Sequence, residues 1–329
     1  MATAVHIKAL ISAHYDADEE RFFTTALQIS AWEAQHGHDS VAREIRELVD
    51  KLRATPKPAF ALSQFNQEKN DMIVLSNNRQ ALSALVASED LKGRLERIVA
   101  EYRNRRRLEE FGLRHRRKIL LAGPPGTGKT MTAAAIADKL QIPLYIILVD
   151  RILTKYMGES SMKLRQVFDF IRQNRGVYLF DEFDAIGADR GLGNDVGEMR
   201  RFLNSFLQFI EQEDSDNLVI AATNNIQLLD QALFRRFDDV LYYQMPSEDD
   251  ASLIIQNCLQ KFLGDISPKS FKEECQGLSH AEITLACLDA QKEAILAEKE
   301  VIDRAVLIQM LRERHTIYQK SQRINDCEK

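Results

Sequence analysis

The amino-acid sequence predicts an α/β fold in which a parallel sheet lies between layers of helices. Short, continuously apolar runs recur in the middle of the 329-residue chain, and helical stretches separate most of them. Such runs are typical of parallel strands that are buried on both faces. The low numbers of glycine (14) and proline (7) favour helices over a fold rich in tight turns. The predicted strands are 119–122, 144–149, 177–180, 218–222 and 240–243.

The segment before this sheet predicts a small helical hairpin followed by a linker. Apolar residues recur at helical spacing on both sides of a break at 36–39 (His-Gly-His-Asp), and the second stripe includes Val41 and Leu48. We expect both stripes to form a core of their own. We therefore assign residues 1–53 to a helical amino-terminal domain and residues 54–78, which contain two prolines, to a linker.

The composition argues against several classes of protein. Lys plus Arg (44) and Asp plus Glu (49) give a net charge of −5, which does not favour a protein whose main task is to bind nucleic acid. The four cysteines are widely spaced without a CxxC pair, so neither a disulfide framework nor a zinc ribbon is indicated. No apolar run approaches the roughly 18 residues of a membrane span. We also find no signal-peptide pattern, and we expect a cytoplasmic protein without a membrane segment.

A glycine-rich segment with the pattern G-x-x-x-x-G-K-T follows the first predicted strand and opens a helix. In this context, backbone N–H groups and the helix dipole can bind phosphate. Lys129 can reach the terminal phosphates, and the Thr130 hydroxyl can bind Mg²⁺. We therefore predict that the chain binds ATP and Mg²⁺. The predicted nucleotide-binding residues are Gly123, Pro124, Pro125, Gly126, Thr127, Gly128, Lys129, Thr130 and Met131.

Two carboxylates follow the predicted strand 177–180. Ligands of open α/β sheets bind at the carboxyl ends of the strands, where these side chains are expected to lie. We predict that Asp181 helps to hold Mg²⁺ together with Thr130, and that Glu182 polarises the attacking water. A glutamate at this position favours hydrolysis over passive binding.

Taken in order, the segments GPPGTGKT, YLFDEFD, IAATNN and ALFRRFD resemble the motifs of the AAA branch of the AAA+ ATPases. The resemblance covers about residues 79–320. It implies a P-loop AAA+ core in a large ATPase domain at 79–245 and a helical lid domain at 246–329. It also implies that Asn224, after the strand 218–222, is a sensor that positions water near the terminal phosphate.

The same resemblance makes Arg235 and Arg236 candidates for arginine fingers, which reach the nucleotide of a neighbouring subunit. The family's commonest pattern places two residues between the arginines, whereas these two are adjacent. Which one is the principal finger is therefore open, with a slight preference for Arg236 because it directly precedes Phe237-Asp238. A surface salt-bridge pair is the alternative. Fingers imply a ring of identical subunits, and the resemblance implies a hexamer.

Residues 155–160 resemble the pore loop of AAA proteins that unfold or disassemble other proteins. The resemblance implies that Tyr156, Met157 and Gly158 grip a polypeptide substrate in a central channel, although ordinary packing at a helix start is the alternative. The segment 188–196 stands in the place of the family's second pore loop. The amino-terminal hairpin resembles domains that dock substrates or partners, in architecture only.

Three further alternatives bear on the biological role. The whole chain resembles bacterial AAA ATPases encoded beside subtilisin-like serine proteases in phage defence, through the segment 14–34, and this implies a protease partner. Residues 92–118 contain eleven Lys and Arg against four Asp and Glu, which suits a ring interface or a solvated face, or alternatively a nucleic-acid-directed ATPase. A nucleotide-switched scaffold for a partner enzyme is the third hypothesis.

Overall fold

The computed structural model describes Lys8 and residues 19–54, 71–78, 80–153, 159–183, 195–225 and 231–327. The chain forms two compact units, Met1–Gln64 and Phe65–Lys329. Among the helices of these described ranges, none has both the length and the apolar character needed to cross a membrane.

The first unit contains two helices that pack against each other, α1 (Glu19–Gln35) and α2 (Asp39–Ala54). Its small core includes Phe23, Ala26 and Val49. The predicted apolar stripe on α2 is only partly used, because Val41 and Leu48 are 43% and 58% exposed. The small core that the hairpin forms therefore contains only part of this stripe.

The second unit is built on a six-stranded sheet in the order β1-β3-β4-β5-β2-β6. The strands are β1 (Ile73–Ser76), β2 (Lys118–Ala122), β3 (Leu144–Ile147), β4 (Val177–Phe180), β5 (Leu218–Thr223) and β6 (Asp239–Tyr242). β1 is antiparallel to β3, and all other neighbouring pairs are parallel. The predicted α/β class with a mostly parallel sheet is confirmed.

Helices cover both faces of this sheet, and the alternation within each strand explains why. In β4, Tyr178 and Phe180 belong to one core and Val177 and Leu179 to the other. Every residue of β4 is therefore buried, as continuous apolar runs require. The helices of this part are α3 (Glu89–Arg103), α4 (Arg105–Glu110), α5 (Lys129–Leu140), α6 (Val149–Ile152), α7 (Glu159–Gln173), α8 (Asp195–Gln212) and α9 (Gln231–Phe234).

The edge strand β1 lies inside the range that the sequence assigned to a linker. Met72 and Ile73 are each only 4% exposed and belong to the main core. The strand has four residues and faces solvent on one side at Val74, so its apolar run is too short to stand out from the sequence before it. The linker prediction was wrong for these residues.

The chain after the sheet forms a helical bundle, which we call the lid. It contains α10 (Glu248–Leu259), α11 (Lys272–Cys275), α12 (His280–Leu296) and α13 (Arg304–Cys327). α10 and α12 each begin with a capping box, formed by Ser247 with Asp250 and by Ser279 with Glu282. The lid has its own hydrophobic core, to which Val86 from the segment before α3 also contributes.

A buried amide joins α7 to the start of two strands. The Oδ1 atom of Asn217 accepts a hydrogen bond from the Gly176 N–H at 2.8 Å, and its Nδ2 donates to the carbonyl oxygens of Ile171 and Asn174. Asn217 is 5% exposed, so water cannot readily replace these bonds. We expect Asn217→Ala to lower the free energy of unfolding by about 2–4 kcal/mol, because several buried backbone groups lose their partner.

The measurement for Asn217→Ala is the shift of the urea unfolding midpoint at unchanged slope. Asn257 on α10 provides the control, since it is exposed. Asn257→Ala should change stability by less than about 0.5 kcal/mol. Equal midpoints for the two variants would contradict the structural role of Asn217.

Candidate functional site

The predicted phosphate-binding segment, residues 123–130, forms a tight loop between the end of β2 and the start of α5. We call it the phosphate loop. The Gly123 N–H donates to the carbonyl oxygen of Thr223 at 3.2 Å, which ties the loop to β5. A Cβ atom at Gly123 would lie 2.4 Å from the Tyr243 carbonyl oxygen, so only glycine fits this close approach.

Lys129 is buried, and its side chain lies against the backbone of the phosphate loop. It is 7% exposed, and its Nζ donates to the carbonyl oxygens of Gly123 at 2.7 Å and Pro124 at 2.8 Å. Thr127 is also buried, and its hydroxyl donates to Pro124 O at 2.8 Å. These bonds hold the ammonium group against the loop backbone, in the position from which a phosphate on the loop would meet a positive charge.

The structure brings Thr130 and Asp181 together, as the sequence predicted. The Thr130 hydroxyl donates to Asp181 Oδ2 at 2.7 Å, and Asp181 Oδ1 accepts from the Glu182 N–H at 3.0 Å. Hydroxyl and carboxylate oxygens are the ligands that Mg²⁺ prefers. Glu182 has a φ of 51°, which is uncommon for a residue with a side chain, and its carboxylate is exposed. This turn points Glu182 away from the path of a regular strand.

Three strand ends meet at this edge of the sheet. Because β5 lies between β4 and β2, Asn224 at the end of β5 stands between the carboxylate pair and the phosphate loop. Asn224 is exposed, and its neighbour Asn225 is fixed by a hydrogen bond from its N–H to the Thr223 hydroxyl at 3.1 Å. An amide in this position can bind both a water molecule and a phosphate oxygen.

The lid contacts the phosphate loop directly. The Ala281 N–H donates to the Gly126 carbonyl oxygen at 3.0 Å, and a Cβ atom at Gly126 would lie 2.5 Å from the Ser279 hydroxyl. Gly126 also has a φ of +72°, so glycine is required here twice over. The predicted site set omitted Ser279 and Ala281. The sequence signal that could have drawn attention to these residues is the S-x-x-E pattern from Ser279 to Glu282, because this pattern marks the start of a helix.

Two residues outside the phosphate loop support it through consecutive hydrogen bonds. The buried Tyr243 hydroxyl donates to Thr132 Oγ1 at 2.7 Å, and Thr132 Oγ1 donates to Gly128 O at 3.1 Å. Burial raises the pKa of the Tyr243 phenol, so it stays protonated. Neither Tyr243 nor Thr132 was a predicted site residue, because the contact joins positions that are 111 residues apart.

The two candidate finger arginines lie at the amino ends of the strands, opposite the carboxyl ends where the phosphate loop begins. The Asp238 carboxylate accepts hydrogen bonds from the backbone N–H groups of Arg117 at 2.8 Å and Lys118 at 2.9 Å, so Arg235 and Arg236 lie beside the amino end of β2. The phosphate loop follows the carboxyl end of this five-residue strand, about 15 Å away. The arginines are therefore remote from the phosphate loop of their own chain.

Arg235 and Arg236 differ in their surroundings. Arg236 Nε forms an ion pair with Glu211 Oε2 at 3.1 Å, whereas Arg235 is exposed and has no acidic partner within the described part of the chain. Buried Leu233 and Phe237 anchor the segment on either side. The pair thus presents one arginine to the outside and holds the other against its own subunit.

Two predicted elements lie outside the described residues. These are the pore-loop residues Tyr156, Met157 and Gly158, and most of the segment 188–196. Their roles stay predictions.

Much of the charge of the basic segment 92–118 is used within the chain. Arg105 pairs with Asp216 at 3.2 Å, Arg117 pairs with Asp214 at 3.1 Å, and Arg114 also pairs with Asp214. Hydrogen bonds from Arg114 and then Arg117 lower the pKa of the Asp214 carboxyl. Arg94 forms an ion pair with Asp239, and Arg116 forms ion pairs with both Glu101 and Asp239. These pairs leave fewer positive charges for phosphates of nucleic acid.

The side chains and backbone groups at the phosphate loop fit a nucleoside triphosphate with Mg²⁺. Lys129 supplies a buried positive charge, Thr130 and Asp181 supply oxygen ligands 2.7 Å apart, and glycines leave room for the close approach of phosphate. Bound Mg²⁺ would offset the charge of the phosphates and orient them. The exposed carboxylate of Glu182 can then accept a proton from water at the same edge of the sheet.

Comparisons with known proteins identify the family of this chain. Residues 119–245 match the model of the ATPase family associated with various cellular activities (AAA). The uncharacterized AAA family ATPase y4kL of Sinorhizobium fredii is 32% identical over 309 residues, which cover 92% of both chains. The ATP-dependent zinc metalloprotease FtsH of Mycoplasma mobile is 30% identical over 67% of this chain and 32% of its own length. The proteasome-activating nucleotidase of Methanoculleus marisnigri is 31% identical over 59% of this chain and 50% of its own length. The chain belongs to the AAA family of ATPases, and its AAA domain implies ATP hydrolysis.

Proposed function

We propose that this chain hydrolyses ATP as one subunit of a ring that engages and remodels protein substrates. The observation that carries the proposal is the hydrogen bond of 2.7 Å between Thr130 and Asp181 directly beside the buried Lys129. It assembles the charges needed for a triphosphate and Mg²⁺ at the point where the lid also contacts the loop. We propose three parts: an ATPase domain at 79–245, a lid at 246–329 and an amino-terminal domain at 1–53 that docks partners or substrates.

The roles in hydrolysis follow from position. Lys129 and the backbone of the phosphate loop bind the phosphates, and Thr130 with Asp181 holds Mg²⁺. Glu182 accepts the proton of the attacking water, and Asn224 orients that water. The turn at Glu182 and the position of Asn224 between two strand ends support this assignment.

The remote position of the arginines supports a site that is shared between subunits. An exposed arginine beside the amino end of β2 lies at the far end of that strand from its own phosphate loop, so it can serve hydrolysis by reaching another subunit's nucleotide. Such a contact joins two different faces and closes into a ring when the rotation permits it. We propose a hexamer and assign the principal finger to Arg235, because Arg236 is engaged by Glu211.

The similarity to two of the relatives favours a polypeptide as the substrate. The names of two relatives, an ATP-dependent zinc metalloprotease and a proteasome-activating nucleotidase, connect those proteins with proteolysis. The internal ion pairs of segment 92–118 weaken the case for nucleic acid. We propose that Tyr156, Met157 and Gly158 contact the substrate, and that a subtilisin-like protease with a role in phage defence is the partner.

The experiment is a comparison of ATPase stimulation at physiological salt by an unfolded protein, duplex DNA and RNA. Of these three additives, only the unfolded protein is expected to raise the ATPase rate. The Tyr156→Ala variant is expected to lose this stimulation. Phe111→Ala removes an exposed aromatic side chain from a different segment of the sequence and should keep the response. Stimulation by DNA or RNA alone would favour a nucleic-acid-directed ATPase.

The partner is tested by capture with the Glu182→Gln chain in the presence of ATP, followed by protein identification. Recovery of a serine protease with ATP, and its absence without nucleotide, is the expected result. A partner that is activated equally by the parent chain and by Glu182→Gln would instead favour the nucleotide-switched scaffold, because binding alone would then suffice.

A further inference from the structure

The lid contains a group of thiols that nucleotide binding does not use. Cys275 and Cys287 are buried in the lid core, and Cys258 packs against the same core while remaining half-buried. None of the three is a residue of the phosphate loop or of the carboxylate pair. Their arrangement is therefore independent of the proposed ATPase mechanism.

Cys258 on α10 lies opposite Cys287 on α12. The Cys258 Sγ lies 3.9 Å from Oγ1 of Thr284, and the Cys258 carbonyl oxygen accepts a hydrogen bond from Nε2 of Gln291 at 2.8 Å. Thr284, Cys287 and Gln291 share one face of α12, because residues three and four apart are neighbours on a helix. Cys258 thus contacts the residues on either side of Cys287 on α12.

The two thiols have different acidities. The neighbouring Cys287 and Thr284 side chains lower the pKa of the Cys258 thiol, although burial opposes this. The neighbouring Cys258 and burial raise the pKa of the Cys287 thiol. Burial raises the pKa of Cys275 to about 12. Cys258 is therefore the more acidic thiol of the pair and the better candidate for the reactive thiolate.

We propose that Cys258 and Cys287 form a modification site for hydrogen peroxide, in which Cys258 is the nucleophile and Cys287 is the resolving thiol. Cys258 is only half-buried, so its thiol is more accessible to a small oxidant than the buried Cys275 and Cys287. A pair of this kind suits a reducing compartment, where structural disulfides are rare and reversible ones report oxidation.

The reaction proceeds in two balanced steps. The Cys258 thiolate attacks one oxygen of hydrogen peroxide, the O–O bond breaks, and the hydroxide that leaves takes up a proton to become water. The Cys287 sulfur then attacks the sulfenic acid of Cys258 and loses its proton, the S–O bond breaks, and a second water leaves as the S–S bond forms. Two thiols lose two electrons in total, and one peroxide is reduced to two waters.

The test uses a chain with Cys275→Ala and Cys327→Ser, in which only the proposed pair remains. We expect peroxide at pH 7 to remove two thiols per chain and to yield a linked peptide that contains Cys258 and Cys287, with full reversal by dithiothreitol. Adding Cys287→Ser should leave Cys258 as a sulfenic acid that dimedone labels. Adding Cys258→Ser should leave Cys287 reduced. The same peptide map of the unsubstituted chain controls for effects of the background substitutions.

The pH dependence provides a second readout. Because the thiolate is the nucleophile, the oxidation rate should rise with pH and level off at a lower pH than the rate of free cysteine. The proposal is overturned if both thiols stay reduced when free glutathione is consumed under the same conditions. It is also overturned if Cys287 oxidises equally fast in Cys258→Ser, or if Cys258 links to Cys275 or to a second chain.

Discussion

Replacement of Glu182 by glutamine is expected to lower the turnover number for ATP by about 10²–10⁴-fold while nucleotide binding is retained. Glutamine has the same size and can adopt the same turn, but its amide cannot accept the proton of the attacking water. The Thr130–Asp181 hydrogen bond and Lys129 are untouched by the change, so the affinity for ATP should stay within about threefold of the parent value.

Glu298→Gln is the matched control for this prediction. Glu298 is an exposed glutamate in the lid with a φ of 56°, close to the 51° of Glu182. Steady-state phosphate release and equilibrium binding of a fluorescent ATP analogue separate the two effects. Normal turnover in Glu182→Gln would refute its role as the base, and a parallel loss of binding would indicate a structural role.

The second large effect is expected for Arg235→Ala, which should reduce ATP turnover by about 10³-fold or more. The loss reflects removal of the positive charge that the proposed finger brings to the terminal phosphate of a neighbouring subunit's nucleotide. Arg236→Ala should have a much smaller effect, and Glu211→Ala should reproduce it, because these two side chains form an ion pair within one chain. Phosphate release by the three variants at equal protein concentration provides the measurement.

This order of effects reverses the slight preference for Arg236 that the sequence suggested. Equal losses in Arg235→Ala and Arg236→Ala would mean that the ion pair with Glu211 opens when subunits assemble. A large loss in Arg236→Ala alone would assign the principal finger to Arg236.

The main features of the fold could be predicted because they depend on local patterns. The run 119–122 is apolar on both sides of the strand, and it is followed at once by the glycine-rich pattern, so strand, loop and helix identify one another. The pairing of Thr130 with Asp181 also followed, since carboxyl ends of parallel strands share one edge of the sheet.

Other features depend on contacts between distant positions and left little trace in the sequence. β1 is a four-residue edge strand, and an exposed Val74 interrupts its burial. The support of the phosphate loop by Tyr243 and Thr132 joins elements 111 residues apart. The position of Cys258 opposite Cys287 arises from the packing of α10 on α12, because neither residue belongs to a recognisable motif.

The basic segment 92–118 shows the same limit for charge. Its composition suggested a surface that faces a neighbour or a nucleic acid, but its partners Asp214, Asp216 and Asp239 lie far along the chain. Folding brings these carboxylates beside the arginines. A local count of charges cannot include them, so it overestimates the free positive charge of the folded protein.

The central claim, that one chain completes the active site of another, is tested most directly by mixing two inactive variants. Lys129→Ala removes the phosphate-binding charge, and Arg235→Ala removes the proposed finger. In an equal mixture, an Arg235→Ala subunit with an intact phosphate loop can meet an intact Arg235 from a Lys129→Ala neighbour. About one quarter of randomly formed interfaces have this arrangement, so about one quarter of the parent ATPase activity should return.

A mixture of Lys129→Ala with the double variant Lys129→Ala/Arg235→Ala is the control and should stay inactive, since no subunit has an intact phosphate loop. Differently tagged subunits verify by co-purification that mixed oligomers form. Recovery of activity only in the first mixture is the predicted result. Mixed oligomers without activity at any ratio would contradict an active site that is shared between subunits.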